Sequence, residues 1–123
     1  MNKRLLIVDN DIDVLDVMKE VFEYEGFEVK TLSRTDDVFT DIAVYDPHVV
    51  MIDYILEGIN GGELCHQIKH NPKTAHLPVI MVSAYSNVLN SLGHYGYDSF
   101  IAKPFDITDL VAEVNKYCLN TTT

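Results

Sequence analysis

The chain has 123 residues, 47% of them hydrophobic and 23% charged, which suits one soluble domain around one layered core. Nine Lys or Arg against nineteen Asp or Glu leave a formal net charge of −10. A surface of that sign repels phosphate backbones and anionic bilayers, so neither nucleic acid nor a membrane is expected as a partner.

The opening MNKRLLIVDN places basic residues before an apolar run, but the run spans only Leu5 to Val8 before Asp9 interrupts it. That is too short for a secretory signal or a membrane span, and a cytoplasmic location is expected. Leu5 to Val8 instead predicts a strand buried on both faces. Asp11 to Glu25 predicts a helix with Asp11 as N-cap. Ile12, Leu15, Met18 and Phe22 form its inward stripe, widened by Val14, Val17 and Val21, and Gly26 stops it. Phe27 to Leu32 is less apolar and predicts an edge strand. Thr35 to Tyr45 predicts a helix with Val38, Phe39 and Ile42 inward, ended by Asp46-Pro47.

Val49 to Ile52 predicts a third strand, running into Asp53 and the glycine-bearing loop EGINGG, with a helix near Glu63 to His70. Val79 to Val82 predicts strand four. Ser86 to Gly96 has a weak helical pattern broken by Gly and Asn, and is expected to be short. Asp98 to Ile101 predicts strand five, followed by Lys103-Pro104. A terminal helix is expected over Asp106 to Cys118, with Ile107, Leu110, Val111, Val114 and Tyr117 inward and a frayed NTTT tail. Strand-helix units in this order predict an α/β fold: an open parallel sheet with helices on both faces, one domain over 1–123. Cys65 and Cys118 are expected as free thiols, and Met18, Met51 and Met81 as core filler.

The informative residues are the polar ones that terminate apolar strands. Asp9, Asn10 and Asp11 end strand one, Asp53 ends strand three, Ser83 ends strand four, and Lys103 follows strand five. In a parallel sheet all these ends share the carboxyl edge, where ligands bind. Asp9 and Asp53 are therefore expected to approach each other, and two close carboxylates require a proton or a cation. An all-oxygen set that includes the Ile55 carbonyl suits Mg²⁺. Asp53 is the best nucleophile, with Ser83 and Lys103 placed to hold a phosphoryl group delivered to it. Asp11 reads as a helix cap rather than a ligand. The five histidines show no zinc-enzyme spacing. His66 and His70 stand four apart, but no Glu follows His66 directly. Gly61-Gly62 hints at a phosphate cradle, although no Walker pattern surrounds it.

LLIVDND at 5–11, VVMIDYILEGING at 49–61, VIMVSAY at 79–85 and DSFIAKPF at 98–105 together resemble the bacterial two-component response-regulator receiver domain, over about Lys3 to Leu119. The resemblance implies a three-layer, flavodoxin-like sandwich with strand order 2-1-3-4-5, core about 3–119 and tail 120–123. It implies Mg²⁺-dependent transfer of a phosphoryl group to Asp53 from a sensor histidine kinase or phosphotransfer protein, and self-catalysed loss of that group. Asp9 and Asn10 take the acidic-pair positions and, with Asp53 and the Ile55 carbonyl, form the metal set. Ser83 is the hydroxyl switch residue, Lys103 precedes a cis-prone Pro104, and Phe100 is the aromatic switch. Signalling would remodel the face made by the fourth helical stretch, strand five and the last helix, the surface for a homodimer or an effector protein.

Two residues depart from the family pattern. Asn10 stands where a second Asp is usual, and Glu57 where the loop usually carries proline. The first predicts weaker Mg²⁺ binding and the second a looser loop. The bulky pair Ile55 and Tyr85 predicts an acyl phosphate lasting minutes or longer. The competing readings are a non-phosphorylated pseudo-receiver that acts as a protein-docking module, and a flavodoxin-like cofactor carrier. The acids after strand one oppose the latter.

Overall fold

The computed structural model describes residues 3–56, 59–84 and 95–121. Five strands and four helices are seen among them. They are β1 (Lys3–Val8), α1 (Ile12–Tyr24), β2 (Phe27–Leu32), α2 (Val38–Tyr45), β3 (Val49–Asp53), α3 (Gly61–Lys69), β4 (Val79–Ser83), β5 (Ser99–Ala102) and α4 (Ile107–Thr121). The strands form one parallel sheet in the order β2-β1-β3-β4-β5. The expected fourth helical stretch lies largely outside the described residues.

Strand geometry sends alternate side chains to opposite faces, and the all-apolar strands use both. Leu5, Ile7, Val49, Met51, Ile80 and Val82 pack with Leu15, Met18 and Phe22 of α1 and Leu110, Val114 and Cys118 of α4. Leu6, Val8, Val50, Ile52, Val79 and Met81 pack with Val38 and Ile42 of α2 and Leu64, Cys65 and Ile68 of α3. This is the three-layer α/β sandwich, with helices on both faces of the sheet. Cys65 and Cys118 are buried and not joined in a disulfide, and burial pushes the Cys65 thiol up to about 12.

Helix ends follow side-chain capping. The Asp11 carboxylate accepts from Asp13 N and Val14 N at 3.0 and 3.3 Å, and Gly26 follows the helix at φ +92°. Several expected boundaries and faces need correction. α2 starts at Val38 rather than Thr35, because Asp37 caps it through Thr40 N. α3 starts at Gly61 rather than Glu63, because Asn60 accepts from Glu63 N at 2.8 Å. β5 runs one residue later than expected, and α4 continues to Thr121. Ile12, Val17 and Ile107 are exposed rather than inward. The stripe on α1 is wider than the sheet beneath it, and its edges reach water.

Asp98 ties the far end of the sheet together. Its Oδ2 accepts from Val79 N at 2.8 Å and from Lys69 Nζ at 2.9 Å, and Lys69 also donates to the Leu77 carbonyl. Tyr117 of α4 donates to the Asp98 carbonyl at 2.8 Å.

Candidate functional site

The register explains why residues distant in sequence meet. Val8 pairs with Ile52, so the next residues along, Asp9 and Asp53, emerge side by side. Asp53 pairs with Val82, and Ser83 with Ala102, which brings Lys103 to the same edge. Asp9 N donates to the Leu32 carbonyl at 3.1 Å and Lys103 N to the Ser83 carbonyl at 2.9 Å, so both backbones are held just past the strands. Asp9, Asp53 and Ser83 are all buried.

One ammonium joins the two acids. Lys103 Nζ stands 3.3 Å from Asp9 Oδ2 and 3.3 Å from Asp53 Oδ2. The other oxygens are held by local backbone. Asp11 N donates to Asp9 Oδ1 at 2.9 Å, and Ile55 N approaches Asp53 Oδ1 at 3.4 Å. Burial and then the Asp9 charge push the Asp53 carboxyl above its usual range, against the pull of Lys103. Burial acts to lower Lys103, but the two carboxylates together outweigh it and its ammonium is held above the usual lysine value. Two carboxylates against one ammonium leave a negative charge uncompensated in a buried pocket. Such a pocket draws a further cation.

The acceptor chemistry fits a hard divalent cation, since the two side chains that Lys103 joins are both carboxylates, oxygen donors buried at the sheet edge. Among the described residues no group of three or more His, Cys, Asp or Glu is gathered for a metal. An ion here would therefore keep several waters, as Mg²⁺ does. Asp11 caps α1, as expected from the sequence. The Lys103-Pro104 peptide is cis. The Phe100 ring is half-buried, packs on the α2–α3 side of the sheet and lies 6.0 Å from the Tyr97 ring. Glu57 and Tyr85, and with them the loop and shielding expectations, lie outside the described residues.

Sequence reasoning missed the steric part of the site. A Cβ on Gly61 would stand 2.1 Å from the Asp53 carbonyl oxygen. The bare glycine lets α3 begin against the backbone of Asp53, and Gly61 N donates to the Tyr54 carbonyl at 2.8 Å. A Cβ on Gly62 would meet the Tyr95 ring at 2.6 Å, and that ring lies 6.2 Å from Tyr54. The glycine pair makes room for protein rather than for phosphate. The signal available in the sequence was a doubled glycine directly after a helix-capping Asn. An apolar groove of about 270 Å³ adjoins the site between α1 and α4, and Val14 and Phe105 line both it and the pocket beside Lys103.

The family model described as "Response regulator receiver domain" matches residues 5–115. The nisin biosynthesis regulatory protein NisR of Lactococcus lactis is 36% identical over 117 residues, covering 90% of this chain and 48% of NisR. The phosphate regulon regulator PhoB of Rhizobium meliloti is 31% identical, covering 93% of this chain and 51% of PhoB. The chain thus spans about half the length of these curated relatives. Among solved structures, a response regulator from Chloroflexus aurantiacus superposes with a TM-score of 0.87 at 28% identity, covering 97% of this chain and 99% of that one. The response regulator TrrA of Thermotoga maritima, solved in complex with Mg(2+)-BeF, gives 0.83 at 26% identity over 94% and 98% of the two chains.

Proposed function

The chain belongs to the response-regulator receiver family, a family of phosphoacceptor signalling domains, and from that premise we propose that Asp53 is its phosphoacceptor. The observation that carries this reading is the convergence of Asp9, Asp53 and Lys103 at one buried sheet edge, both acids 3.3 Å from a single ammonium. In the transfer, an Asp53 oxygen attacks the phosphorus of a phosphohistidine. The P–N bond breaks, the imidazole leaves with the bonding pair and takes up a proton, and an aspartyl phosphate remains.

Each residue has a role its position supports. Lys103 holds Asp53 ionised and then pairs with the phosphoryl oxygens. Ser83, at the end of β4, offers its hydroxyl to the same group. Phe100 responds through β5, where its neighbour Ile101 pairs with Val82 beside Ser83. Asp9, Asp53, Asn10 and the Ile55 carbonyl would hold Mg²⁺, which when bound supplies positive charge for the incoming phosphoryl oxygens. TrrA, bound to Mg(2+)-BeF, supports that assignment. Loss of the phosphoryl group to water on the same site ends the signal. The donor is a histidine kinase or phosphotransfer protein, and the apolar groove between α1 and α4, which shares Val14 and Phe105 with the pocket beside Lys103, is the surface on which it would seat.

Incubation with acetyl phosphate and Mg²⁺, followed by intact-mass spectrometry, tests the reading. A single phosphoryl increment that is absent without Mg²⁺ and absent in Asp53→Asn is expected. No increment, under conditions that label another receiver, would instead favour the docking-module reading that Asn10 suggests.

A further inference from the structure

We propose that His66 and His70 on α3 form a second cation site, selective for an imidazole-seeking transition metal and independent of the carboxylate pocket. The two rings are exposed and stand one helical turn apart, their centroids 3.8 Å apart and their planes 29° from parallel. Positions four apart on a helix share one face. His70 Nδ1 lies 2.8 Å from the His66 carbonyl oxygen. A carbonyl only accepts, so Nδ1 carries the ring proton and Nε2 is the bare nitrogen. A backbone carbonyl that fixes the tautomer in this way is the usual support of a metal-binding histidine.

The geometry suits chelation. Metal–imidazole bonds of about 2.0–2.1 Å place two nitrogens of a shared ion about 3 Å apart. The ring centroids are 3.8 Å apart, and both exposed side chains can turn so that the stacked planes open and the ring nitrogens converge on one ion. The nearest cation on this turn, Lys69, is drawn away by Asp98 and the Leu77 carbonyl, so it does not oppose an incoming ion. The net charge of −10 attracts one. No third His, Cys, Asp or Glu is gathered with the pair among the described residues, so water completes the coordination. Two nitrogen donors select in the order Cu²⁺ over Zn²⁺, with Mg²⁺ excluded, the reverse of the preference at Asp9 and Asp53.

The test is calorimetric titration of the whole chain with Cu²⁺ and with Zn²⁺, in buffer holding enough Mg²⁺ to fill the carboxylate pocket. His66→Gln and His70→Gln are each compared with wild type, and His76→Gln serves as the control. Circular dichroism confirms that each variant is folded. The expected result is one Cu²⁺ equivalent bound more tightly than Zn²⁺, weakened at least about tenfold in either pair variant and unchanged in His76→Gln. Retained Cu²⁺ affinity in both pair variants would overturn the assignment, as would Zn²⁺ binding tighter than Cu²⁺.

Discussion

Replacing Lys103 with methionine keeps the length of the side chain and removes its charge, and the consequence can be worked from the site. At an effective dielectric of about 20, each 3.3 Å contact to Asp9 and Asp53 corresponds to about 5 kcal/mol of gross attraction. Much of this is offset by the cost of drying the ammonium, whose side chain is only 24% exposed. Removing one partner of a buried ionic group costs about 3–5 kcal/mol. The loss is capped because the orphaned carboxylates take up a proton instead of both staying ionised. Urea unfolding followed by far-ultraviolet circular dichroism measures the effect, since the chain has no tryptophan to report. In EDTA at neutral pH, Lys103→Met is expected to be at least about 3 kcal/mol less stable than wild type. Saturating Mg²⁺ should narrow that gap, because the variant's pocket gains a cation with no ammonium in competition. A variant within about 0.5 kcal/mol of wild type in EDTA, or a gap that Mg²⁺ leaves unchanged, would refute the shared-pocket reasoning.

Asn10→Asp adds a charged oxygen beside Asp9 and should tighten Mg²⁺ binding about tenfold or more, read by calorimetric titration. Gly61→Ala forces a Cβ against the Asp53 carbonyl and should cost about 3 kcal/mol, whereas Gly62→Ala, which meets only the movable Tyr95 ring, should cost about 1 kcal/mol, both read by urea unfolding. His48 Nδ1 accepts from Arg4 N at 3.0 Å, and burial and then Arg4 push the imidazole below its ordinary 6.5. The unfolded chain therefore binds the proton more readily than the fold. The stability this neutral ring contributes is complete above 6.5 and is lost as pH falls toward the folded-state value. His48→Asn keeps an acceptor and removes the titration, so its melting midpoint should fall less than that of wild type over this range.

The parts of this molecule that could be read from sequence are those where a local pattern has one physical solution. Four-residue apolar runs such as Leu5–Val8 have no amphipathic face and can only be buried on both sides. The residues that break such runs, Asp9, Asp53 and Ser83, then fall on one edge by topology alone. Faces decided by neighbours were harder to read. Periodicity gives the angular position of Ile12, Val17 and Ile107 but not how far the facing layer extends, and all three reach solvent. Competing caps shifted α2, where Asp37 prevails over the Thr35 start. The charge pattern was visible but not its resting partner: Lys103 was expected to await a phosphoryl group, and it bridges the two acids. The tolerance at Gly61 depends on a distance across two elements, which no local signal carries.

The contact between position 62 and the Tyr95 ring makes volume at that spot a joint property of two sites. A side chain added at 62 is accommodated only as far as the ring at 95 swings aside, so the room at one position is set by the other. Position 61 has no such counterpart, because what it faces is main chain, which cannot turn out of the way as a ring can.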